Sequence, residues 1–258
     1  MMSNRIQFAI CSHPGKKRKN NEDNFYLNGV YRRDIQNQYS FHAGKAKDSM
    51  FLAAVCDGMG GIAYGELASL YTVESLVPAS IDRIQEVARF SVSLANDRIC
   101  EELRRKKGVM SGSTLTALYI DQGYAIACNI GDSRCYLYRE KKLYQLTTDH
   151  SRAQYLFDRG KLTDEQLRTD KSRHQLMRYI GVFPEEMKLE PDFSDGVLLQ
   201  KGDSFLLCSD GLSDMLEDEK IGSVIGGAKK PDHVVKKLVE LALEKGGLDN
   251  ITCILLQI

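Results

Sequence analysis

Two uninterrupted apolar runs in this chain each lead into an acid followed by glycine. Phe51-Leu52-Ala53-Ala54-Val55-Cys56 runs into Asp57-Gly58, and Phe205-Leu206-Leu207-Cys208 runs through Ser209 into Asp210-Gly211. Short unbroken runs of this kind predict strands buried on both faces. Strands are predicted at 5–12, 23–31, 50–56, 113–120, 123–130, 134–139, 142–147, 187–199, 203–208 and 250–258. Asp121-Gln122-Gly123 and Glu140-Lys141-Lys142 supply turns, so the central strands read as a meander of hairpins. Helices are predicted at about 65–76, 80–106, 217–226 and 232–245. In the second, Ile84, Val87, Ala88, Leu94, Ala95, Ile99 and Leu103 recur at spacings of three and four. Residues 151–181 are polar and partly helical, an insertion lying over the sheet, with Asp149 or Ser151 as the cap that starts it. Strictly alternating strand and helix, the mark of a parallel sheet, is absent. The order predicts an α+β fold, a sandwich of antiparallel sheets flanked by helices.

Composition narrows the function classes. At 258 residues and 43% apolar content the chain can bury one large core, and with five prolines and no linker-like stretch a single domain over 1–258 is expected. The 35 basic and 35 acidic residues balance, which argues against nucleic acid as a partner. No apolar run approaches a bilayer span and none resembles a signal peptide, so no membrane is expected. Seven cysteines, an odd number with no C-x-x-C pair, fit a reduced, cytoplasmic setting. Cys56 and Cys208 sit within apolar runs as small buried hydrophobes.

The acids have a layout of their own. Asp57 and Asp210 follow strands, whereas Glu22-Asp23 and Asp249-Asn250 precede them. Antiparallel strands bring the end of one beside the start of the next. Four acidic spots can therefore meet at one edge, where they repel unless a cation sits among them. In Asp57-Gly58-Met59-Gly60-Gly61 the first glycine lets its carbonyl approach an ion closely. Oxygen donors of this type suit Mg²⁺ and Mn²⁺. Taken alone, the loop is equally a glycine-rich strand-to-helix connection.

Four more segments complete the pattern: Arg18-Lys19-Asn20-Asn21-Glu22-Asp23, Gly112-Ser113-Thr114-Leu115, Asn129-Ile130-Gly131-Asp132-Ser133-Arg134 and Ser209-Asp210-Gly211-Leu212. In this order, with Asp249-Asn250 closing the set, the chain from about residue 8 onward resembles the metal-dependent protein serine/threonine phosphatases (PPM, or type 2C), in the form of a bacterial-type catalytic domain with nothing appended. The resemblance implies a four-layer αββα architecture with a flap at about 151–181. It implies hydrolysis of phosphoserine and phosphothreonine in phosphoproteins, without a phosphoenzyme, by a water or hydroxide bridging two Mn²⁺ or Mg²⁺ ions. By motif position Asp57 bridges both ions, the Gly58 carbonyl binds one, and Asp210 and Asp249 bind the other. Asp132 with Asp210 corresponds to a third ion, Glu22 and Asp23 act through water or hydrogen bonds, and Arg18 binds the substrate phosphate. A monomer opposing a cognate serine/threonine kinase is the family expectation.

The chain departs from that pattern at two places. Relatives carry a histidine at Met59 or just after the last loop glycine, whereas this chain has Met59 and Ile62. A metal-bound water beside Asp132 is then the first candidate to protonate the leaving oxygen, with His150 and His174 as side-chain alternatives. The flap reads Asp170-Lys171-Ser172-Arg173-His174 in place of His-Pro-x-Arg-Asn. Rival chemistries are weaker. Lys16-Lys17-Arg18-Lys19 is first of all a solvated basic face. Cys128-Asn129-Ile130-Gly131-Asp132-Ser133-Arg134 has the spacing of a cysteine-phosphatase loop, but it runs into a hairpin rather than a helix whose N-terminus could hold phosphate. Asp149-His150-Ser151 is sequential, and triads are assembled in space. The alternative from another class is a catalytically silent phosphoprotein-binding regulator on the same fold.

Overall fold

The computed structural model describes residues 6–48, 50–60, 64–106 and 110–258, so Gly61 and Ile62 lie outside the described residues. The chain begins with β1 (Ile6–His13), β2 (Asn24–Leu27), β3 (Val30–Tyr31), β4 (Ser40–Ala46), β5 (Met50–Cys56) and β6 (Gly58–Gly60). Helices α1 (Gly65–Glu74) and α2 (Ile84–Arg105) come next, then β7 (Ser111–Ser113), β8 (Leu115–Asp121), β9 (Tyr124–Ile130), β10 (Arg134–Arg139) and β11 (Lys142–Gln145). The insertion holds α3 (Arg152–Asp158), α4 (Asp164–Thr169) and a 3-10 turn at Lys171–His174. The chain closes with β12 (Asp192–Phe193), β13 (Val197–Leu198), β14 (Ser204–Cys208), α5 (Asp210–Ser213), α6 (Asp218–Gly227), α7 (Pro231–Glu244) and β15 (Ile251–Gln257).

Two antiparallel sheets stack face to face. One has the order β11-β10-β14-β15-β1-β4, the other β12-β9-β8-β5-β2-β3 with β13 also beside β9. Alternation along each central strand explains the unbroken apolar runs. Phe51, Ala53 and Val55 of β5 face Phe205, Leu207, Ile254 and Leu256 across the sandwich. Leu52, Ala54 and Cys56 of the same strand point the other way, onto Ile84, Ala88, Val92, Ala95 and Ile99 of α2. On the opposite side Leu206, Cys208 and Leu255 pack against Ile221, Val234, Val235 and Leu238 of α6 and α7. Helix, sheet, sheet, helix is the αββα stack expected of an α+β chain. All seven cysteines are free and buried.

Several elements differ from expectation. The predicted strand at 23–31 is a hairpin, folded at Asn28-Gly29, where both residues have positive φ. The single strand expected at 187–199 is only the two short segments β12 and β13. β4 was not foreseen, because as an edge strand with an open outer face it keeps no apolar run. Leu94 was placed on the packed stripe of α2, but it is 40% exposed. Ser91, Asn96 and Cys100 take buried positions on that helix instead. The two turns at Gln122-Gly123 and Glu140-Lys141 have positive φ throughout, as tight hairpins require. Ser151 caps α3 by accepting the Gln154 N–H.

Candidate active site

A cleft of about 550 Å³ opens where the ends of the two sheets meet, and Arg18, Glu22, Asp57, Gly58, Asp132, Asp210 and Asp249 stand around it. Topology explains the gathering. Asp57 follows β5, and Glu22-Asp23 precedes its neighbour β2, with Asn24 opposite Cys56. Asp210 follows β14, and Asp249 precedes its neighbour β15, with Cys208 opposite Cys253. Asp132 lies in the turn that carries the chain from β9 in one sheet to β10 in the other. Asp23 lies behind the cleft wall, fully buried, its Oδ2 accepting the Ser209 hydroxyl at 2.8 Å.

The loops are fixed by contacts that the acids themselves do not make. Asn250 Oδ1 accepts the Glu22 N–H at 2.8 Å, while its Nδ2 donates to Pro14 O and Asn20 O. Buried Arg32 donates to the carbonyls of Asn21 and Asp23. The Asp57 N–H donates to Thr114 Oγ1 at 2.9 Å, and Thr114 N–H to Asp57 O at 2.8 Å. A methyl group at Gly58 would overlap the carbonyls of Gly65 and Glu22, and one at Gly211 would overlap that of Asn250. Sequence reasoning gave no part to Arg32 or Asp214. An arginine 14 residues beyond Arg18 carries no local signal, whereas Asp214 stands one helical turn after Asp210 and was findable by that spacing.

Burial lifts the Asp57 carboxyl well above the carboxylate range, reinforced by Asp23, Asp210, Asp132 and Asp249. Asp210 is raised likewise, by burial and then by Asp132, Asp214, Asp249 and Asp23. Burial and then Glu66 push Glu22 up to about 7. Asp210 Oδ1 and Asp23 Oδ1 are buried with no hydrogen-bond partner. Crowded carboxylates with orphaned oxygens and a backbone pinched down to glycine form a hard, oxygen-rich donor set. Divalent cations such as Mn²⁺ or Mg²⁺ fit it, satisfying the orphans and cancelling the repulsion.

The serine and threonine hydroxyls of the cleft are engaged elsewhere. Ser111 Oγ donates to Tyr64 O, and Thr114 Oγ1 is shared between the Asp57 N–H and Ser133 Oγ. Cys128 is fully buried in β9, and burial pushes its thiol up to about 12. Arg134, the arginine of that cysteine-phosphatase spacing, is instead held by Asp149 at 2.7 Å. The two histidines separate. His150 is buried, its Nδ1 accepting the Gly131 N–H, which leaves Nε2–H to donate to Asp192 at 3.0 Å. His174 lines the cleft, and its ring lies within 4.8 Å of carboxylate oxygens of Asp210 and Asp214. Arg173 and His174 both contact Asp214, at 2.9 and 3.3 Å, and so hold the flap to the turn after Asp210.

Comparison with known proteins gives the family and the fold. The family model described as Protein phosphatase 2C matches residues 29–240. The chain is 32% identical over 254 residues to Protein phosphatase PhpP of Streptococcus pneumoniae, covering 96% of this chain and 95% of that protein. The crystal structure of the Mycobacterium tuberculosis serine/threonine phosphatase PstP/Ppp superposes with a TM-score of 0.81 at 30% identity, covering 99% of each chain. The catalytic domain of serine threonine protein phosphatase PstP in complex with two manganese ions superposes with a TM-score of 0.75 at 29% identity, covering 98% of each.

Proposed function

Because this chain belongs to the protein phosphatase 2C family, we propose that it is a metal-dependent phosphatase that hydrolyses phosphoserine and phosphothreonine in proteins. One observation carries the reading: carboxylates from both sheets converge on a cleft whose lip holds Arg18, and among them Asp210 has a buried oxygen with no hydrogen-bond partner. Asp57, Asp210 and Asp249 would supply the negative charge to hold two divalent cations, and the Gly58 carbonyl would add a neutral donor. Asp132 with Asp210 offers a place for a third. Bound there, such ions polarise the phosphoryl oxygens and lower the pKa of the attacking water. Glu22 at the cleft and Asp23 behind its wall would support this shell through bound water or hydrogen bonds.

Arg18 has a planar fork suited to two phosphate oxygens; its Nη2 is held by Asp249 at 2.7 Å, and at 55% side-chain exposure its other N–H donors can take them. With Ser111, Thr114 and Cys128 committed to structure, the attacking group is water, and no phosphoenzyme forms. Substrates are phosphoproteins made by a serine/threonine kinase, and the protein acts as a cytoplasmic monomer. Among the described residues no helix is long and apolar enough to cross a membrane.

The test is phosphate release from a phosphothreonine peptide, first with Mn²⁺ and then with excess chelator. Turnover with the metal and none with chelator is expected. Undiminished turnover in chelator would overturn the metal-dependent reading. Absence of turnover with every divalent ion would favour a silent phosphoprotein-binding regulator.

A further inference from the structure

The cleft is far larger than its chemistry needs. Its volume of about 550 Å³ compares with roughly 10–15 Å³ needed on the same measure to hold one water, and a phosphoryl group has only four heavy atoms. Besides the acids and Arg18 its wall includes four large apolar side chains, Met59, Met110, Leu176 and Tyr179, together with Ser111, Thr114 and His174. Met110 is 78% exposed. A large apolar side chain left open at the lip of a polar cleft marks a contact surface, and methionine adapts to varied partners.

This wall is tied to the reacting centre. β6 pairs with β7, setting Met59 opposite Gly112. β7 is in turn bridged to the flap, where Ser113 and Ile180 exchange two backbone hydrogen bonds of 2.8 Å each. The Tyr179 ring lies against Gly112, so that a Cβ at that glycine would come within 2.6 Å of it. Leu176 is anchored by a bridge to Ser151, the cap of α3. Met59 follows Asp57 by two residues on an extended segment, which is about 7 Å at ~3.3 Å per residue. An extended substrate covers that distance in one or two residues.

We propose that Met59, Met110, Leu176 and Tyr179 form a shelf that reads the residue beside the phosphoserine or phosphothreonine, and that it selects substrates with a large apolar side chain one or two positions away. The inference rests on the hydrolase reading above. The occupant is fixed by continuity: the shelf and the acidic floor are one cavity, so the chain that delivers the phosphate must cross it. Acidic flanks are disfavoured, because a carboxylate laid on the apolar shelf would lose its hydration without a partner.

The experiment uses phosphothreonine peptides identical except for leucine, serine or aspartate next to the phosphoresidue, on either side, with Mn²⁺ present. Wild type is expected to show about ten-fold higher kcat/KM for leucine than for serine on one side, the scale of an added apolar contact, and the lowest value for aspartate. In the double variant Met110→Ser, Leu176→Ser the leucine advantage should fall to under about three-fold. This ratio is internal to each protein, so a partly folded variant cannot mimic the result. Equal kcat/KM across flanks in wild type, or an intact ratio in the double variant, overturns the shelf. No turnover of any phosphopeptide overturns the hydrolase reading, and the shelf with it.

Discussion

Arg18 Nη2 donates to Asp249 Oδ2 across 2.7 Å, joining the segment after β1 to the turn before β15. The two side chains are 55% and 35% exposed, so the ion pair adds little to stability. Its value is positional, holding the guanidinium at the cleft lip beside a proposed metal ligand. Arg18→Ala is expected to lower kcat/KM for a phosphopeptide by about 100-fold, the scale of a lost charged contact, with almost no change in Tm. Arg18→Lys keeps the charge and loses the fork, and should recover only part of the rate. Steady-state kinetics alongside thermal melts checks both.

Asp57→Asn should separate stability from function. The Asp57 carboxyl is raised by burial and by its acidic neighbours, so its ionised form works against the fold when no cation is bound. At pH 8 in chelator the variant should melt higher than wild type. Mn²⁺ at about 100 times its Kd should stabilise wild type by about 2.7 kcal/mol for each ion bound, and the variant by far less, with turnover lost. Melting curves with and without Mn²⁺ read all three, and a lower metal-free Tm in the variant would contradict the argument.

Cys128→Ala should leave the rate almost unchanged and cost about 1 kcal/mol of stability through lost packing. The thiol is fully buried and held protonated, so it cannot serve as a nucleophile. A large loss of kcat in a variant with a normal melt would revive cysteine chemistry.

His150 predicts a pH effect. Burial holds its pKa below the ordinary 6.5. On acidification the unfolded chain therefore takes up the proton first, and the stability His150 contributes above pH ~6.5 is lost as pH falls toward the folded value, by up to about 1.4 kcal/mol per pH unit. Raised carboxylates such as Glu22 have the opposite sign, gaining stability as pH falls, so the readout is a difference. Wild type minus His150→Gln, from urea unfolding between pH 5 and 8 in chelator, should decline below about pH 6.5. A flat difference would mean the imidazole is not buried neutral.

The central strands were legible because they are covered on both faces. Two-sided burial writes unbroken apolar runs such as Phe51–Cys56, which no exposed strand needs. The edge of the same sandwich was not, since β4 alternates exposed and half-buried residues and looks like a loop. At the cleft, Asp57 and Asp210 announced themselves as charges stranded at the ends of apolar runs. Arg32 and Asn250 work by meeting backbone carbonyls and amides brought close only by folding, as in the 2.8 Å contact of Asn250 Oδ1 with the Glu22 N–H. Asn250 stands beside a motif acid, but nothing in local sequence marks Arg32 as such a partner. The histidines show the same limit: both stood near the flap in sequence, and only packing distinguishes buried His150 from His174 at the cleft.

Asp57 hangs from one sheet and Asp210 from the other, with Asp132 on the turn that joins them. The spacing of the acids is therefore a reading of how the two sheets are stacked, as the gap of a caliper reads the position of its jaws. Phe25, Phe51 and Phe205, fully buried between the sheets, keep the jaws from sliding. On the proposed metal binding, cation affinity would be a remote gauge of the hydrophobic interior: loosening that interior should blunt the grip on metal before the chain comes apart.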